Sequence, residues 1–261
     1  MSNSILLNQN KQNYDVFRSL VDGSITSIDI PFGTRSIKGM AFYNCKSITS
    51  IKIPNTVTAI NVQAFYNCES LATIEIPNTV TSIENRAFYN CKSLKSIEIP
   101  SGITALEYAM FQDCISLTNV KLPSSLTTIW ASVFEGCSSL TSIEIPSSVT
   151  SIEGSAFSAC TSLTNIELPS SLTKIGPNAF YSCELFTSIE IPSSVTSIDY
   201  WAFDKCTSLS SVKVLNPTPP TLGAEAFHST SANLVIYVPA ESVSAYQTAW
   251  SAYSSKIQAI S

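Results

Sequence analysis

The stretch Leu140–Ser162 reads LTSIEIPSSVTSIEGSAFSACTS, and its apolar slots decide the architecture. Leu140, Ile143 and Ile145 form an L-x-x-I-x-I pattern whose alternation turns the isoleucines inward and Glu144 outward, as in a short strand. Pro146 ends that strand, because it has no N–H to give a ladder. Val149 and Ile152 turn inward again across the coil. Ala156, Phe157 and Cys160 stand at the spacing of a helical turn, which closes the loop. One such coil cannot bury its own apolar face, whereas stacked copies bury it against one another.

Copies extend in both directions. Prolines recur every 23 residues from Pro31 to Pro192, phenylalanines from Phe42 to Phe203, and cysteines from Cys45 to Cys206. Eight units therefore run from Ile25 to Ser208 without an insertion or deletion. A ninth unit from Leu209 is degenerate: Pro217, Pro219 and Pro220 interrupt it, and Phe227 arrives one residue late. The ends differ, as a solenoid requires, since a bare terminal coil exposes a strand edge and apolar core. Val16–Leu20 looks like a degraded Ala-Phe-x-x-Cys, and a helix over roughly residues 10–21 would put Tyr14, Phe17 and Val21 on one face. At the other end Leu234–Val238 reads as a last strand. Pro239 then opens a helix in which Val243, Tyr246 and Trp250 share a face. The expected organisation is an N-terminal cap over 1–24, eight repeats over 25–208, the degenerate unit over 209–233 and a C-terminal cap over 234–261.

The IP pair, the SVTSI segment and the AFxxC segment, as in Ile145-Pro146, Ser148–Ile152 and Ala156–Cys160, resemble the BspA-type leucine-rich repeat family. The resemblance covers about two thirds of the chain as strict repeats, and the segment IYVPAESVSAYQTAW resembles the closing cap of gut-bacterial members. Family members often carry Gly after the second isoleucine; Gly176 keeps it, whereas Glu84, Glu107, Trp130 and Asp199 replace it. The implied fold is an α/β repeat: a right-handed leucine-rich-repeat solenoid of about nine coils between N- and C-terminal caps. A parallel sheet should line its concave face, with short strands and helical turns opposite. The implied activity is adhesion.

Composition narrows the function classes. The 261-residue chain is 13% charged and 44% hydrophobic, far too apolar for disorder. No apolar run approaches the roughly 20 residues of a membrane span, so a soluble protein is expected. A net charge of −5 disfavours a nucleic-acid partner. Met1–Leu20 carries Asn, Gln, Lys and Asp where a signal peptide needs an apolar stretch. The chain is then cytoplasmic, leaves by a non-secretory route, or is a domain of a longer protein displayed on a cell or virion surface.

Candidate sites follow from what the repeat does and does not demand. The eight cysteines share one inward slot, so reduced, buried packing is expected rather than disulfides, although stacked Cα atoms roughly 5 Å apart fall within disulfide range. With no C-x-x-C and a single histidine, His228, neither a metal site nor a cofactor is expected, and the chain reads as no enzyme. The outward strand slot runs Asp29, Lys52, Glu75, Glu98, Lys121, Glu144, Glu167, Glu190, Lys213; Glu144, Glu167 and Glu190 form a run of like charges. That column reads as a solvated face or as a surface for a cationic peptide or divalent ion. Tyr43, Tyr66 and Tyr89 share one slot in three consecutive coils and are expected to stack on each other. Tyr108, Trp130 and Trp201 stand at loop positions where other repeats carry residues such as Asn, Gly, Ser or Gln, and Tyr200 adjoins Trp201 in the loop of repeat eight. These four, with the three glutamates as a steering surface, are the candidate binding residues. The expected function is a monomeric, non-enzymatic module binding a protein or glycan on a cell or matrix surface. A phage or prophage tail accessory protein contacting its host and an intracellular scaffold are the alternatives.

Overall fold

The computed structural model describes residues 4–6 and 26–260; the N-terminal helix expected around Tyr14, Phe17 and Val21 lies outside them. The chain winds into a parallel-strand leucine-rich-repeat solenoid of about ten turns with little helix and a helical C-terminal cap.

Most coils contribute two short strands. The first set includes Ser27–Asp29, Ser50–Lys52 and Thr73–Glu75, in which Ile28, Ile51 and Ile74 pair in register one repeat apart. This sheet thins to a single parallel bridge between Glu144 and Glu167, then resumes as Ser188–Ile191, Ser211–Val214, Val235–Val238 and Ile257–Ala259. The second set runs from Ser36–Ile37 through Ser151–Ile152 to Thr221–Leu222. Pro146 behaves as its chemistry dictates: its carbonyl accepts the Val149 N–H at 3.0 Å, turning the chain from one strand into the next.

The third side corrects an expectation. The Ala-Phe-x-x-Cys segment is not a helical turn but a run of tight turns. Ala156, Ser158 and Cys160 donate to carbonyls three residues back in their own coil, at 3.1–3.3 Å. Ser155, Phe157 and Ala159 donate instead to Pro177, Ala179 and Tyr181 of the next coil, at 2.7–2.8 Å. A continuing helix would turn its interior N–H groups onto its own carbonyls; here alternate N–H groups fasten one coil to the next. The left-handed backbone at Ser155 (φ 57°) and Ala159 (φ 56°) makes this alternation, and both slots recur in coil after coil.

Side chains repeat as the backbone does. Phenylalanines from Phe42 to Phe227 form a continuous stack with ring centroids 5.2–5.7 Å apart. All eight cysteines are free and buried. Their packing holds something composition did not reveal: the Cys68 thiol donates to the Phe42 carbonyl at 3.2 Å, and each later cysteine does the same to the preceding coil, at 3.0–3.3 Å. Phe42 O already accepts the Cys45 N–H, so the thiol occupies the carbonyl's second lone pair. Burial pushes the Cys45 thiol up to about 11 and the Cys114 thiol up to about 12.

The C-terminal cap is also more divided than its sequence suggested. A 3₁₀ turn over Ala240–Ser242 precedes the helix Val243–Ala249, a second 3₁₀ segment covers Ser251–Lys256, and Trp250 lies between the two. Tyr246 and Trp250 are buried as expected. Their polar ends complete the proline-rich ninth unit: Tyr246 Oη donates to Asn216 O at 2.6 Å, Trp250 Nε1 to Pro220 O at 2.9 Å, and Ser242 Oγ to Pro217 O at 2.7 Å. A prolyl nitrogen has no hydrogen to donate to a ladder, so the carbonyls of this loop find their partners in the cap.

Candidate binding face

Two surfaces present the candidate residues, and their electrostatics differ. On the outer face of the first sheet, Glu98 pairs with Lys121 at 2.7 Å and Glu190 with Lys213 at 2.9 Å. The expected run of three like charges is therefore a pair: Glu190 is neutralised, while Glu144 and Glu167 face each other across the single bridge with no ion pair among the described residues. Like charges directly opposite on a sheet are mildly unfavourable, and the rung is thinnest where they meet. Among the described residues no group of three or more His, Cys, Asp or Glu is placed to hold a metal ion.

The second surface is the edge between the second strand and the turn segment. Its backbone is held from both sides: Trp130 N–H donates back to Leu106 O at 3.0 Å, and Trp201 N–H donates forward to Ala224 O at 3.1 Å. Ile129 and Ala202 on the adjoining positions are buried, so the aromatic side chains are displayed on a fixed backbone. Trp130 is 46% exposed, and Tyr108, Tyr200 and Trp201 are 40–43% exposed.

The structure sorts these four into two pairs. Tyr108 and Trp130 lie in successive coils; Tyr200 and Trp201 lie together, their rings edge-on at 5.2 Å. Between the pairs, Ala131, Gly154 and Pro177 occupy the slot that Tyr108 and Tyr200 fill elsewhere. Gly176 is dictated by the stack, since a Cβ there would come within 2.7 Å of the Glu153 backbone. Two neighbours escaped the sequence reading. The Arg86 guanidinium lies over the Tyr108 ring at 4.9 Å, and Glu225 accepts from Trp201 Nε1 at 2.7 Å. Counting one repeat forward finds both contacts: 23 residues on from Arg86 is Ala109, beside Tyr108, and Glu225 stands 24 residues beyond Trp201, across the ninth unit's extra residue.

The tyrosine ladder stacks as expected, with Tyr43–Tyr66 centroids 4.8 Å apart and Tyr66–Tyr89 4.6 Å apart. Beside it runs an amide ladder: Asn67 Nδ2 donates to Asn44 Oδ1 at 2.8 Å, and Asn90 Nδ2 to Asn67 Oδ1 at 2.7 Å. Burial, with Asp113 alongside, pushes the Tyr89 phenol up to about 12. His228 does not form a nucleophile–base relay. Asp204 Oδ1 and Ser229 Oγ both contact its Nδ1, at 3.0 and 2.9 Å, whereas a relay needs the acid and the nucleophile on opposite ring nitrogens. No described helix is long and apolar enough to cross a membrane.

Comparisons with known proteins agree with the coil geometry. No curated protein matches. Among solved structures, a leucine-rich repeat protein of T. pallidum is 30% identical with a TM-score of 0.57, covering 61% of this chain and 77% of that one. A leucine-rich repeat protein from Eubacterium ventriosum is 20% identical with a TM-score of 0.53, covering 90% of this chain and 71% of that one. A leucine rich cell surface protein from Faecalibacterium prausnitzii is 26% identical with a TM-score of 0.45, over 90% of this chain and 78% of that one. The model of the BspA type leucine rich repeat region matches residues 13–141 and 127–257, nearly the whole solenoid, and the chain belongs to that family.

Proposed function

We propose that this chain is a non-catalytic binding module that recognises a protein or glycan on a cell or matrix surface. The observation that carries the reading is the exposure of Tyr108, Trp130, Tyr200 and Trp201 at slots where the repeat requires no aromatic. Leaving large rings half in water has no packing benefit, and tryptophan and tyrosine supply much of the energy at recognition surfaces. The repeat family is typically non-catalytic, and a solenoid offers an extended surface rather than a deep cleft. Glu144 and Glu167 give the sheet face a negative potential that acts on encounter rates more than on affinity.

The test is retention: beads carrying the purified chain are exposed to intact cells and to panels of matrix proteins and glycans. Selective retention is expected, with Trp130→Ala and Trp201→Ala each weakening it by about 2 kcal/mol or more. Indifference to every surface offered would remove the reading.

A further inference from the structure

The spacing of the two aromatic pairs carries the proposed reading a step further. Trp130 and Asp199 occupy one slot three coils apart, with Tyr200 and Trp201 directly after Asp199. At strand spacing of about 5 Å per coil, the pairs stand roughly 15 Å apart along the solenoid axis. The surface between them carries Ala131, Gly154 and Pro177 in one column and Ser132, Ser155 and Asn178 in the next. The result is a low stretch with short polar groups on its floor and an aromatic pair at each end. Glu153, beside that floor, is held by Lys174 at 2.9 Å.

We infer that this edge binds a linear, neutral glycan laid parallel to the solenoid axis, one sugar ring on Tyr108/Trp130 and another on Tyr200/Trp201. The inference rests on the proposed binding role and assigns it a ligand class. Three observations select that class. First, Trp130 and Trp201 are exposed rings, and the aromatic pairs have hydrogen-bonding neighbours: Glu225 accepts from Trp201 Nε1, and Arg86, which covers one face of Tyr108, brings guanidinium donors to that end. A sugar presents one C–H face to stack and hydroxyls around its rim to bond, which suits that pairing better than a peptide's apolar anchor, which needs a pocket. Second, the axial repeat of the platform is about the length of one hexose unit, so successive sugars meet successive coils in register. Third, Glu107, Glu153, Asp199 and Glu225 outnumber Arg86 and Lys174 along this edge of a chain with net charge −5, which disfavours sulfated or carboxylated polymers.

The geometry demands a dependence on chain length. A short oligosaccharide reaches one platform; a longer one reaches both, and the second contact is then intramolecular. The experiment titrates the whole chain with β-linked glucose, N-acetylglucosamine and mannose oligomers, from disaccharide to hexasaccharide, read by calorimetry and tryptophan fluorescence. Trp250 is buried, so the fluorescence change reports Trp130 and Trp201. At least one series is expected to bind, with affinity rising about tenfold or more once the oligomer spans both pairs. Trp130→Ala and Trp201→Ala should each abolish that rise while leaving weak short-chain binding, and the double variant should lose both. Circular dichroism confirms that each variant is folded.

No binding by any neutral series, affinity independent of length, or tryptophan variants that bind like the parent would overturn the inference. Tighter binding of heparin than of every neutral chain would do the same. So would cell retention that survives glycosidase treatment and is lost to protease. In that last case the binding role stands and only the ligand class fails; absence of retention on any cell or matrix removes the role itself.

Discussion

The aromatics of the first three coils and those of the later edge are chemically alike and structurally opposite. Tyr43, Tyr66 and Tyr89 repeat at one slot, and each finds a copy of itself one coil away, at 4.6–4.8 Å. Trp130 has Glu107 and Glu153 at the matching slots before and after it, so no copy of itself stands there to cover it. In a solenoid the neighbour of a side chain is the residue 23 positions away, and periodicity therefore supplies its partner. A ring that recurs is absorbed into a ladder, and a ring that occurs once is left at the surface. Position alone does not distinguish the two groups, because both lie outside the buried slots; recurrence does.

The C-terminal cap is the severest way to break that comparison, because Trp250 and Tyr246 are non-recurrent yet buried. Their partners are the orphan carbonyls of Asn216 and Pro220. Trp250→Ala should cost about 3–5 kcal/mol in urea unfolding, and truncation after Asn233 should produce aggregates on size-exclusion chromatography. A truncated chain that stays monomeric with an unchanged midpoint would show that the segment caps nothing.

Alkaline pH tests the recurrent thiols. From Cys45 to Cys183 burial raises their titration in the folded state, so the unfolded chain releases these protons first as pH rises. The thiols' contribution to stability should be constant below about pH 8, near the ordinary thiol range, and should fall as pH climbs from there toward 11, where Cys45 itself titrates. Urea midpoints across that range check this, and thiol counting should find eight groups, slow to react until the chain unfolds. Fast labelling of the native chain would contradict the ladder.

Tyr66→Ala sharpens the contrast at smaller scale. It removes both stacking contacts of the central ring, each worth roughly 0.5–1.5 kcal/mol beyond burial, and should lower the unfolding midpoint without changing partner retention. Trp130→Ala should do the reverse, altering stability by less than about 1 kcal/mol while weakening retention. The smallest effect belongs to Lys213→Ala. It removes an exposed ion pair to Glu190, worth under about 1 kcal/mol, and should fade in high salt.

Much of the architecture could be read from spacing alone. The 23-residue step is both the sequence period and the strand register, so the inward slot read at Ile143 recurs at Ile28, Ile51 and Ile74, which pair with one another in register. Phe227, one residue late in the sequence, sits in the same stack as Phe203 at 5.3 Å; the extra residue is accommodated in the proline-rich loop before it. The third side was misread because Ala156, Phe157 and Cys160 suit a helical turn and a chain of β-turns equally well. What separates these is the backbone at Ser155 and Ala159, where neither residue type announces a left-handed conformation. The strand Ile257–Ala259 was missed because it pairs at an offset of 21 rather than 23 and lies beyond the cap helix. The aromatic edge was legible as four departures from the consensus, but its division into two pairs needed only the repeat count between them. The repeat count places Arg86 and Glu225 one coil away from Tyr108 and Trp201, but whether those side chains reach the rings depends on their rotamers, which spacing does not encode.

The turn-built third side also sets the curvature. In a solenoid whose outer side is made of helices, those helices pack 8–10 Å apart while the strands opposite sit at about 4.8 Å, and the mismatch bends the stack into an arc. Here the outer segments bond directly to one another through backbone groups such as Ala159 N–H to Tyr181 O at 2.7 Å, so that side advances at nearly the pace of the sheet. Each coil is then only a thin wedge. A ligand laid along this edge would meet evenly spaced footholds, and adding or deleting one 23-residue unit would lengthen or shorten that row by a single fixed step.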